Sequence, residues 1–410
     1  MLDLLLRRCR LPDGEEPVDV GIEEGHIVGT LTTPGAAGET IDVGGRLVTP
    51  GLVEAHIHLD KALLADRVRA AAGTLDEAIR VTAEAKRGFT VDDIQARARR
   101  VLDLAVAHGT TAMRTHVEVD RIVELMGMEA ILPLRQEYAR ALELQVCAFA
   151  QEGIVRAPGT EGLLRRALGM GADLVGGCPD NDTDALQHID IVFALAEAFD
   201  RDVDFHVDFS DEPEHLHIHE IVRQTRRRGW HGRVSVGHLT EVAALPAWDQ
   251  DAIVADIAAA GIGVICLPAT DLYLMGRHDE MNVRRGLTPL RRLLAAGVPV
   301  ALASNNIGNP FTPVGTADLA HMAFLAAVAA HMGTMQHLRQ LLAMITSHPA
   351  RILRLPEYGL SPGCRADLVV WDCERVEDVA ASLPARILVV KNGRVTVTSE
   401  LRVHERWRGA

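Results

Sequence analysis

The stretch VEAHIHLDK, residues 53–61, closes an apolar run with two histidines two positions apart. Side chains at positions i and i+2 of a strand point to the same face, so His56 and His58 lie side by side if this run is a strand. Two imidazoles so placed can bind one metal ion at about 2.0–2.1 Å. A single histidine in an apolar strand is more often a core residue, so the interpretation depends on what the rest of the chain supplies.

Residues 49–356 repeat an apolar strand followed by a helix. The strand candidates are LVEAHIH (52–58), TTAMRTHVE (110–118), LQVCAFAQE (144–152), ADLVGGCP (172–179), VDFHVDF (203–209), RVSVGHLT (233–240), GVICLPAT (263–270) and VPVALASNN (298–306). The helical stretches include 91–108, 160–170, 184–199, 214–228 and 285–296, and many end at a glycine. This alternation predicts an α/β fold, a (β/α)8 TIM barrel. An open doubly wound sheet is less favoured, because no G-x-G-x-x-G follows the first strand.

Both chain ends consist of short strand-like segments separated by turns. Residues 1–48 and 357–410 share this character, and Asn392-Gly393 is a strong signal for a two-residue hairpin. We expect the two ends to pair into one composite β-sandwich domain, with the barrel occupying 49–356.

Composition and charge narrow the function classes. The net charge of −14 over 410 residues argues against a nucleic-acid surface, and the basic run RQTRRRG (223–229) suits a solvated helix face. No run reaches about 18 apolar residues, so we expect no membrane span. The six cysteines form no C-x-x-C pair, which indicates reduced thiols and a cytoplasmic protein. A small molecule is the expected partner, and assembly into a homo-oligomer is left open.

Polar side chains gather where the predicted strands end. Barrel enzymes carry their catalytic groups at the C-terminal ends of the strands. The strand-end residues are His56, His58, Arg114, His116, Glu118, Gln151, Glu152, Asp180, Asn181, His206, Asp208, His238, Asp271, Asn305 and Asn306. Two histidines in register, joined by His206 and His238 on later strands, predict a catalytic metal site with an open position for water.

The ordered series resembles the amidohydrolase superfamily, and its pattern is most similar to cytosine deaminases and N-isopropylammelide isopropylaminohydrolase. The similarity extends through DVGGRLVTPGLVEAHIHLDK, RTHVEVD, AFAQEGI, GADLVGG, RVSVGHLT, NPFTPVGTADL and GCRADLVV. The resemblance implies that His56, His58 and His206 bind one divalent ion, zinc or iron, with Asn305 at the strand-eight ligand position. It also implies that His238 orients or polarises the attacking water.

The resemblance further assigns residues to substrate binding. Gln151 occupies the place of an amide that reads the edge of a heterocycle, and Phe311 that of an aromatic lid residue. Lys61 follows the HIHLD turn as in the triazine enzyme, where it would hold an anionic group or simply pair with Asp60. Asn306, at the end of strand eight, is a further candidate for substrate contact.

Two departures from the family pattern concern acid–base groups. Asn305 stands where the family has a metal-binding aspartate that takes the water's proton, and an asparagine cannot accept a proton at neutral pH. Phe209 stands where relatives carry an acidic residue that shuttles a proton, so we place it among the substrate contacts. His238 is the preferred base. The acids nearby in sequence that could substitute are Asp208, Asp211, Glu152 and Asp271.

Three further predictions concern Asp208, a histidine-rich segment and the end of strand four. Asp208 is a candidate catalytic acid if the strand has ended before it, and otherwise a cap for the next helix. The histidine-rich segment EPEHLHIHE (212–220) lacks H-E-x-x-H and suits a solvated helix better than a second metal site. No lysine ends strand four, where binuclear relatives carry a carbamylated one, so a single metal is expected.

These expectations point to a metal-dependent hydrolase that attacks a C–N bond of a small nitrogen heterocycle or cyclic amide. Deamination, amine release and ring opening all fit. Cytosine itself is disfavoured because the shuttle glutamate is absent. The alternative is a catalytically altered or inactive relative that binds a small ligand in the barrel mouth.

Overall fold

The first strands of the chain form a four-stranded sheet. The computed structural model describes residues 1–14, 16–31, 35–68, 70–400, 402 and 404. The strands are β1 (Leu2–Cys9), β2 (Val18–Glu23), β3 (His26–Leu31) and β4 (Ala37–Asp42), arranged in the order β3-β2-β1-β4. β4 runs parallel to β1, and the other pairs are antiparallel. A short strand, β5 (Val48–Pro50), then leads into the barrel.

Eight parallel strands confirm the predicted barrel. They are β6 (Leu52–Ile57), β7 (Thr110–Glu118), β8 (Glu143–Ala150), β9 (Leu174–Gly177), β10 (Asp202–Val207), β11 (Val234–His238), β12 (Gly263–Cys266) and β13 (Val300–Leu302). Sequential strands are neighbours throughout. Asn305 closes the ring between β13 and β6, because its N–H donates to His56 O at 2.8 Å and its carbonyl accepts from His58 N at 3.0 Å.

Helices follow most of the barrel strands. They are α1 (Leu75–Lys86), α2 (Val91–Ala107), α3 (Met126–Tyr138), α4 (Thr160–Met170), α5 (Ala185–Phe199), α6 (Ile218–Arg228), α7 (Thr240–Ala244), α8 (Ala247–Ala260), α9 (Pro268–Leu274), α10 (Leu290–Ala295), α11 (Leu319–Ala329), α12 (Met335–Ala343), α13 (Ser347–Ile352) and α14 (Asp378–Ser382). Gly171, Gly229 and Gly261 end α4, α6 and α8 with positive φ, as predicted for glycine C-caps. Within the described residues, none of these helices has the length and apolarity to cross a membrane.

The two chain ends share a second sheet. β14 (Leu368–Trp371), β15 (Arg386–Lys391) and β16 (Arg394–Thr398) pair in the order β16-β15-β14-β5, so the N-terminal β5 completes a C-terminal sheet. Asn392 and Gly393 have φ values of 49° and 72° and form the predicted hairpin turn between β15 and β16. Side chains of both sheets pack into one apolar cluster that includes Leu4, Leu6, Ile22, Leu368, Val370 and Val390. The expected boundary after residue 48 falls within β5.

Two helices begin later than the sequence predicted. The stretch 214–228 is helical only from Ile218, because the Asp208 carboxylate accepts hydrogen bonds from His217 N and Ile218 N and sets the helix start there. Most of EPEHLHIHE therefore precedes the helix. The stretch 285–296 is helical only from Leu290, because Pro289 disfavours helical backbone at the residue before it.

Candidate active site

Three histidine side chains meet where β6 and β10 end. His56 Nε2 and His58 Nε2 each lie 3.0 Å from His206 Nε2. Burial lowers the pKa of all three imidazoles well below 6.5, so they are neutral and able to bind a metal. Nitrogens bound to one tetrahedral ion lie about 3.3 Å apart, close to these contacts. The donor set therefore fits one ion better than it fits a hydrogen bond.

A fourth histidine, His116 on β7, packs against His56 with ring centroids 4.0 Å apart. His56, His116 and His206 also lie close enough to share an ion. However, His116 Nε2 is 3.2 Å from Asp204 Oδ1, and Asp204 Oδ2 accepts from Arg114 Nη1 at 2.9 Å. His116 therefore faces a carboxylate, and His58 completes the better set of nitrogens.

His238 ends β11 beside this cluster. Its Nδ1 lies 2.8 Å from Asp271 Oδ1, and its ring stacks on Phe209 with centroids 3.7 Å apart. A carboxylate at Nδ1 fixes a proton there and leaves Nε2 as an acceptor. Burial raises the pKa of Asp271, while the bond from His238 opposes that shift. The backbone is left-handed at His238 (φ 76°) and Leu239 (φ 55°), a conformation of the kind that clusters at functional sites.

A chain of three asparagine side chains follows β13. Asn306 Nδ2 donates to Asn305 Oδ1 at 2.9 Å, and Asn309 Nδ2 donates to Asn306 Oδ1 at 2.8 Å. Asn309 Oδ1 in turn accepts from Phe311 N and Thr312 N at 3.0 and 3.2 Å. We call Asn305, Asn306 and Asn309 the amide wall, and it carries no charge.

Paired charged groups form a second cluster, with side chains from β7, from the segments after β6, β7 and β8, and from α1. Lys61 Nζ donates to Glu118 Oε1 at 2.6 Å, and Lys86 Nζ contacts the other Glu118 oxygen. Lys86 also donates to Asp120 and Glu152, each at 2.9 Å. Burial alone would raise the pKa of Glu118, but the two ammonium groups hold it at about 2. We call Lys61, Lys86, Glu118, Asp120 and Glu152 the charged wall.

Gln151 extends from the end of β8 toward Lys61. Its Oε1 lies 3.5 Å from Lys61 Nζ, which leaves the amide N–H groups as donors. The Lys61 ammonium lies 4.5 Å from the centre of the Phe311 ring. Donors and an aromatic face therefore meet on this side of the cavity.

One small cavity of about 40 Å³ joins these groups. Its lining residues are His58, Lys61, Leu75, Ile79, Gln151, Cys178, Asp180, Asn181, His206, Phe209, His238, Thr270, Asn305, Asn306 and Phe311. A larger groove of about 1080 Å³ lies beside α8 and α10 but contains none of the histidines at the strand ends. The histidines and polar side chains of the strand ends lie around the smaller cavity, which makes it the candidate site.

Comparison with known proteins decides the family. The model of the amidohydrolase family matches residues 39–397. The chain belongs to the amidohydrolase family. The N-isopropylammelide isopropyl amidohydrolase of Pseudomonas sp. strain ADP is 30% identical over 411 residues, which cover 98% of each chain.

A second curated relative and a solved structure also resemble this amidohydrolase. The pterin deaminase of Rhizobium rhizogenes is 28% identical over 93% of this chain and 88% of its own. The structure of 5-methylcytosine deaminase from Klebsiella pneumoniae with 5-fluorocytosine superposes with a TM-score of 0.93 at 29% identity, covering 98% of both chains. The predicted family and fold are confirmed.

Most residues singled out in the sequence of this amidohydrolase lie around the cavity. Asp208 does not line it. The strand ends at Val207, Asp208 turns left-handed with φ 54°, and its carboxylate caps α6 instead. Lys61 pairs through its side chain with Glu118 and not with Asp60, whose carboxylate accepts from the backbone N–H groups of Lys61 and Glu118.

Several contacts were not assigned from the sequence. Asp271, His116 and Glu118 were noted at strand ends without partners, and the strand-end position was the signal that could have found them. Lys86 gave no signal, because it lies within α1 and reaches Glu118 only through the folded barrel.

Proposed function

We propose that this amidohydrolase is a mononuclear metal-dependent hydrolase that cleaves a C–N bond of a small, neutral nitrogen heterocycle. The observation that carries the proposal is the convergence of three Nε2 atoms beside a histidine held by a carboxylate. His56, His58 and His206 supply the nitrogens, and His238 with Asp271 supplies the base.

The metal site would consist of His56, His58 and His206, with the Asn305 carbonyl oxygen as a neutral fourth ligand. Asn305 Oδ1 accepts one hydrogen bond from Asn306, and an amide oxygen has a second lone pair. Zinc or iron suits imidazole ligands. When bound, such an ion supplies the Lewis acidity that makes water a nucleophile near neutral pH.

His238 takes the proton from the attacking water. Asp271 holds Nδ1 in its protonated form and stabilises the positive charge that develops on the ring. This pair supplies the acceptor that Asn305 cannot provide. The stacked Phe209 ring limits rotation of the imidazole, so its Nε2 stays directed toward the cavity.

The charges of the site favour a neutral substrate with a carbonyl oxygen. Lys61 is already paired with Glu118, so its remaining N–H donors suit an oxygen atom without a net charge. Gln151 adds amide donors beside it. Phe209 and Phe311 give apolar faces for a planar ring. The relatives named after ammelide, pterin and 5-methylcytosine all point to ring substrates of this class.

Metal analysis combined with a release assay tests this function. Protein purified without chelator is analysed for metal and screened for ammonia, amine or ring opening over pyrimidines, triazines, pterins, hydantoins and related lactams. We expect about one divalent ion per chain and turnover of at least one ring. His206→Gln should lose both, while His215→Gln, at an exposed histidine, should lose neither. Turnover by a metal-free protein would contradict the proposal.

A binding protein is the second candidate, and Asn305 is the observation that favours it. An amide at this position lacks the carboxylate that a proton-transferring metal site ordinarily uses. The binding candidate predicts ligand association without product in the same screen. We favour catalysis, because the His238–Asp271 pair remains assembled.

The cysteines bear on the cellular location of the protein. All six cysteines are free, and four of them are buried, which supports a reducing cytoplasmic compartment. Assembly of this chain into a homo-oligomer is measured by light scattering of the purified protein.

A further inference from the structure

Asp180 is the one carboxylate among the described residues that line the cavity. It belongs to the 3₁₀ turn Pro179–Asn181 that follows β9. Its Oδ2 accepts from Phe209 N at 3.1 Å, which anchors the carboxylate to the backbone of the residue whose ring stacks on His238. The carboxylate is about one-fifth exposed, so it reaches both the cavity and solvent.

His217 pairs with Asp180 from the segment before α6. His217 Nδ1 lies 2.8 Å from Asp180 Oδ1, and its backbone N–H donates to Asp208 Oδ1 at 2.7 Å. The side chain is one-fifth exposed. The pair therefore extends from the cavity lining to the surface. Asp208 holds the backbone of His217 in place.

Expulsion of an amine from carbon requires a proton on the leaving nitrogen. His238 receives a proton from water and lies on one side of the cavity. We propose that Asp180 and His217 form a proton relay that protonates the leaving nitrogen. This inference rests on the proposed hydrolysis of a C–N bond.

The steps balance without a further reactant. The water oxygen bonds to the ring carbon as His238 Nε2 takes one water proton. As the C–N bond breaks, the protonated His217 gives its Nδ1 proton to the Asp180 carboxylate, and Asp180 gives a proton to the leaving nitrogen. His238 later loses its proton to solvent and His217 regains one, so water and the C–N compound become the hydroxylated ring and the free amine.

The surroundings of His217 keep a proton on the pair. The hydrogen bond to Asp180 raises the pKa of His217, partly against burial. The charged groups that face it are Asp180, Asp208 and Glu241, and burial raises the pKa of Glu241 to about 7. Turnover should therefore fall as the pH rises through the raised pKa of His217.

A pair of substrates with different leaving groups tests the relay. The probe is the best amine-releasing ring from the screen, compared with its chloro analogue, because chloride leaves without a proton. Asp180→Asn should lower kcat for the amine compound about 100-fold or more and change the chloro compound at most about 3-fold. His217→Gln should lower kcat for the amine compound and remove the fall at high pH. The control His215→Gln should match the wild type.

The outcomes separate the two proposals. If the wild type turns over no ring, the proposed function fails. If the wild type is active and Asp180→Asn lowers both compounds equally, the pair has only a structural role and the relay is overturned. Unchanged kcat for the amine compound also overturns it and assigns both proton transfers to His238.

Histidine NMR gives a readout that is independent of turnover. The His217 pKa should be raised above its ordinary value in the wild type and should be lower in Asp180→Asn, because the hydrogen bond to a carboxylate that raises it is lost. A His217 pKa that does not change in this variant would overturn the relay, because Asp180 would then not hold the proton with it.

Discussion

The charged wall reaches the cavity through Lys61 and the amide wall through Asn305 and Asn306, and the two walls satisfy their polar groups by different means. The charged wall sets two ammonium groups against three carboxylates, all within contact distance. The amide wall links Asn305, Asn306 and Asn309 through neutral hydrogen bonds of 2.8–2.9 Å. Lys61 therefore brings a paired charge to the cavity lining, and Asn305 and Asn306 bring neutral amides.

The neutral amide wall means that strand eight ends in Asn305 and supplies no carboxylate to the site. The acid–base groups that we propose are two pairs outside the walls, His238 with Asp271 and Asp180 with His217. Within the charged wall, Glu118 holds the Lys61 ammonium, which contacts Gln151. Within the amide wall, Asn306 holds the side chain of Asn305.

The largest effect is expected in the charged wall. Glu118→Gln leaves Lys61 and Lys86 buried without their shared partner, and breaking such a pair costs about 3–5 kcal/mol in the free energy of unfolding. Denaturant unfolding measures this loss. Glu137→Gln is the control, because it removes an exposed partner of Arg99 and should leave stability close to that of the wild type. Equal effects of the two substitutions would show that the charged wall contributes no special stability.

The next effect concerns the base. Asp271→Asn removes the carboxylate that orients His238, and kcat should fall about 100-fold or more with metal content unchanged. Metal analysis and kinetics on the same preparation measure both quantities. A loss of metal together with activity would instead mean that Asp271 supports the ligands.

The amide wall should show a smaller effect. Asn305→Ala removes the proposed carbonyl ligand, and metal affinity should fall about 10- to 100-fold, comparable to the loss of an outer partner of a metal site. A competition titration with a chelator measures the affinity. If metal affinity and turnover both equal those of the wild type, Asn305 is not a ligand.

Replacing the Asn305 amide with a carboxylate tests whether the neutral amide wall limits the chemistry of the site. Asn305→Asp restores the residue of the family pattern, but Phe209 still occupies the position of the expected acid. We predict that this substitution alone does not produce cytosine deamination. Ammonia release from cytosine measures it, and substantial release would show that Phe209 is no obstacle.

The smallest effect is expected at Gln151, between the walls. Gln151→Leu keeps the volume and removes the amide donors, so KM for a carbonyl-bearing ring should rise about 3- to 10-fold with kcat retained. Steady-state kinetics separates the two constants. A fall in kcat at unchanged KM would place Gln151 in the chemical step.

The sequence predicted the features that depend on the local periodicity of apolar and polar residues. The alternation of strand side chains placed His56 and His58 on one face, and the eight apolar runs predicted the barrel. The same rule left two alternatives for Asp208; the strand ends at Val207, the backbone turns left-handed there, and the carboxylate caps α6.

Contacts between residues distant in sequence could not be predicted from local sequence patterns. The pairing of Lys61 with Glu118 depends on the register of β6 and β7, which brings residues 57 positions apart together. The Asp180–His217 pair likewise depends on how the segments after β9 and β10 meet. Neither the spacing nor the composition of the chain specifies these partners.

We propose that one metal ion, bound by His56, His58 and His206, supports the reaction. The most direct measurement is turnover of the screened ring as metal is added back to chelator-treated protein. We expect turnover to be absent without metal, to rise in proportion to bound metal and to level off at about one ion per chain. Activity in the metal-free protein, or a plateau only at about two ions per chain, would contradict it.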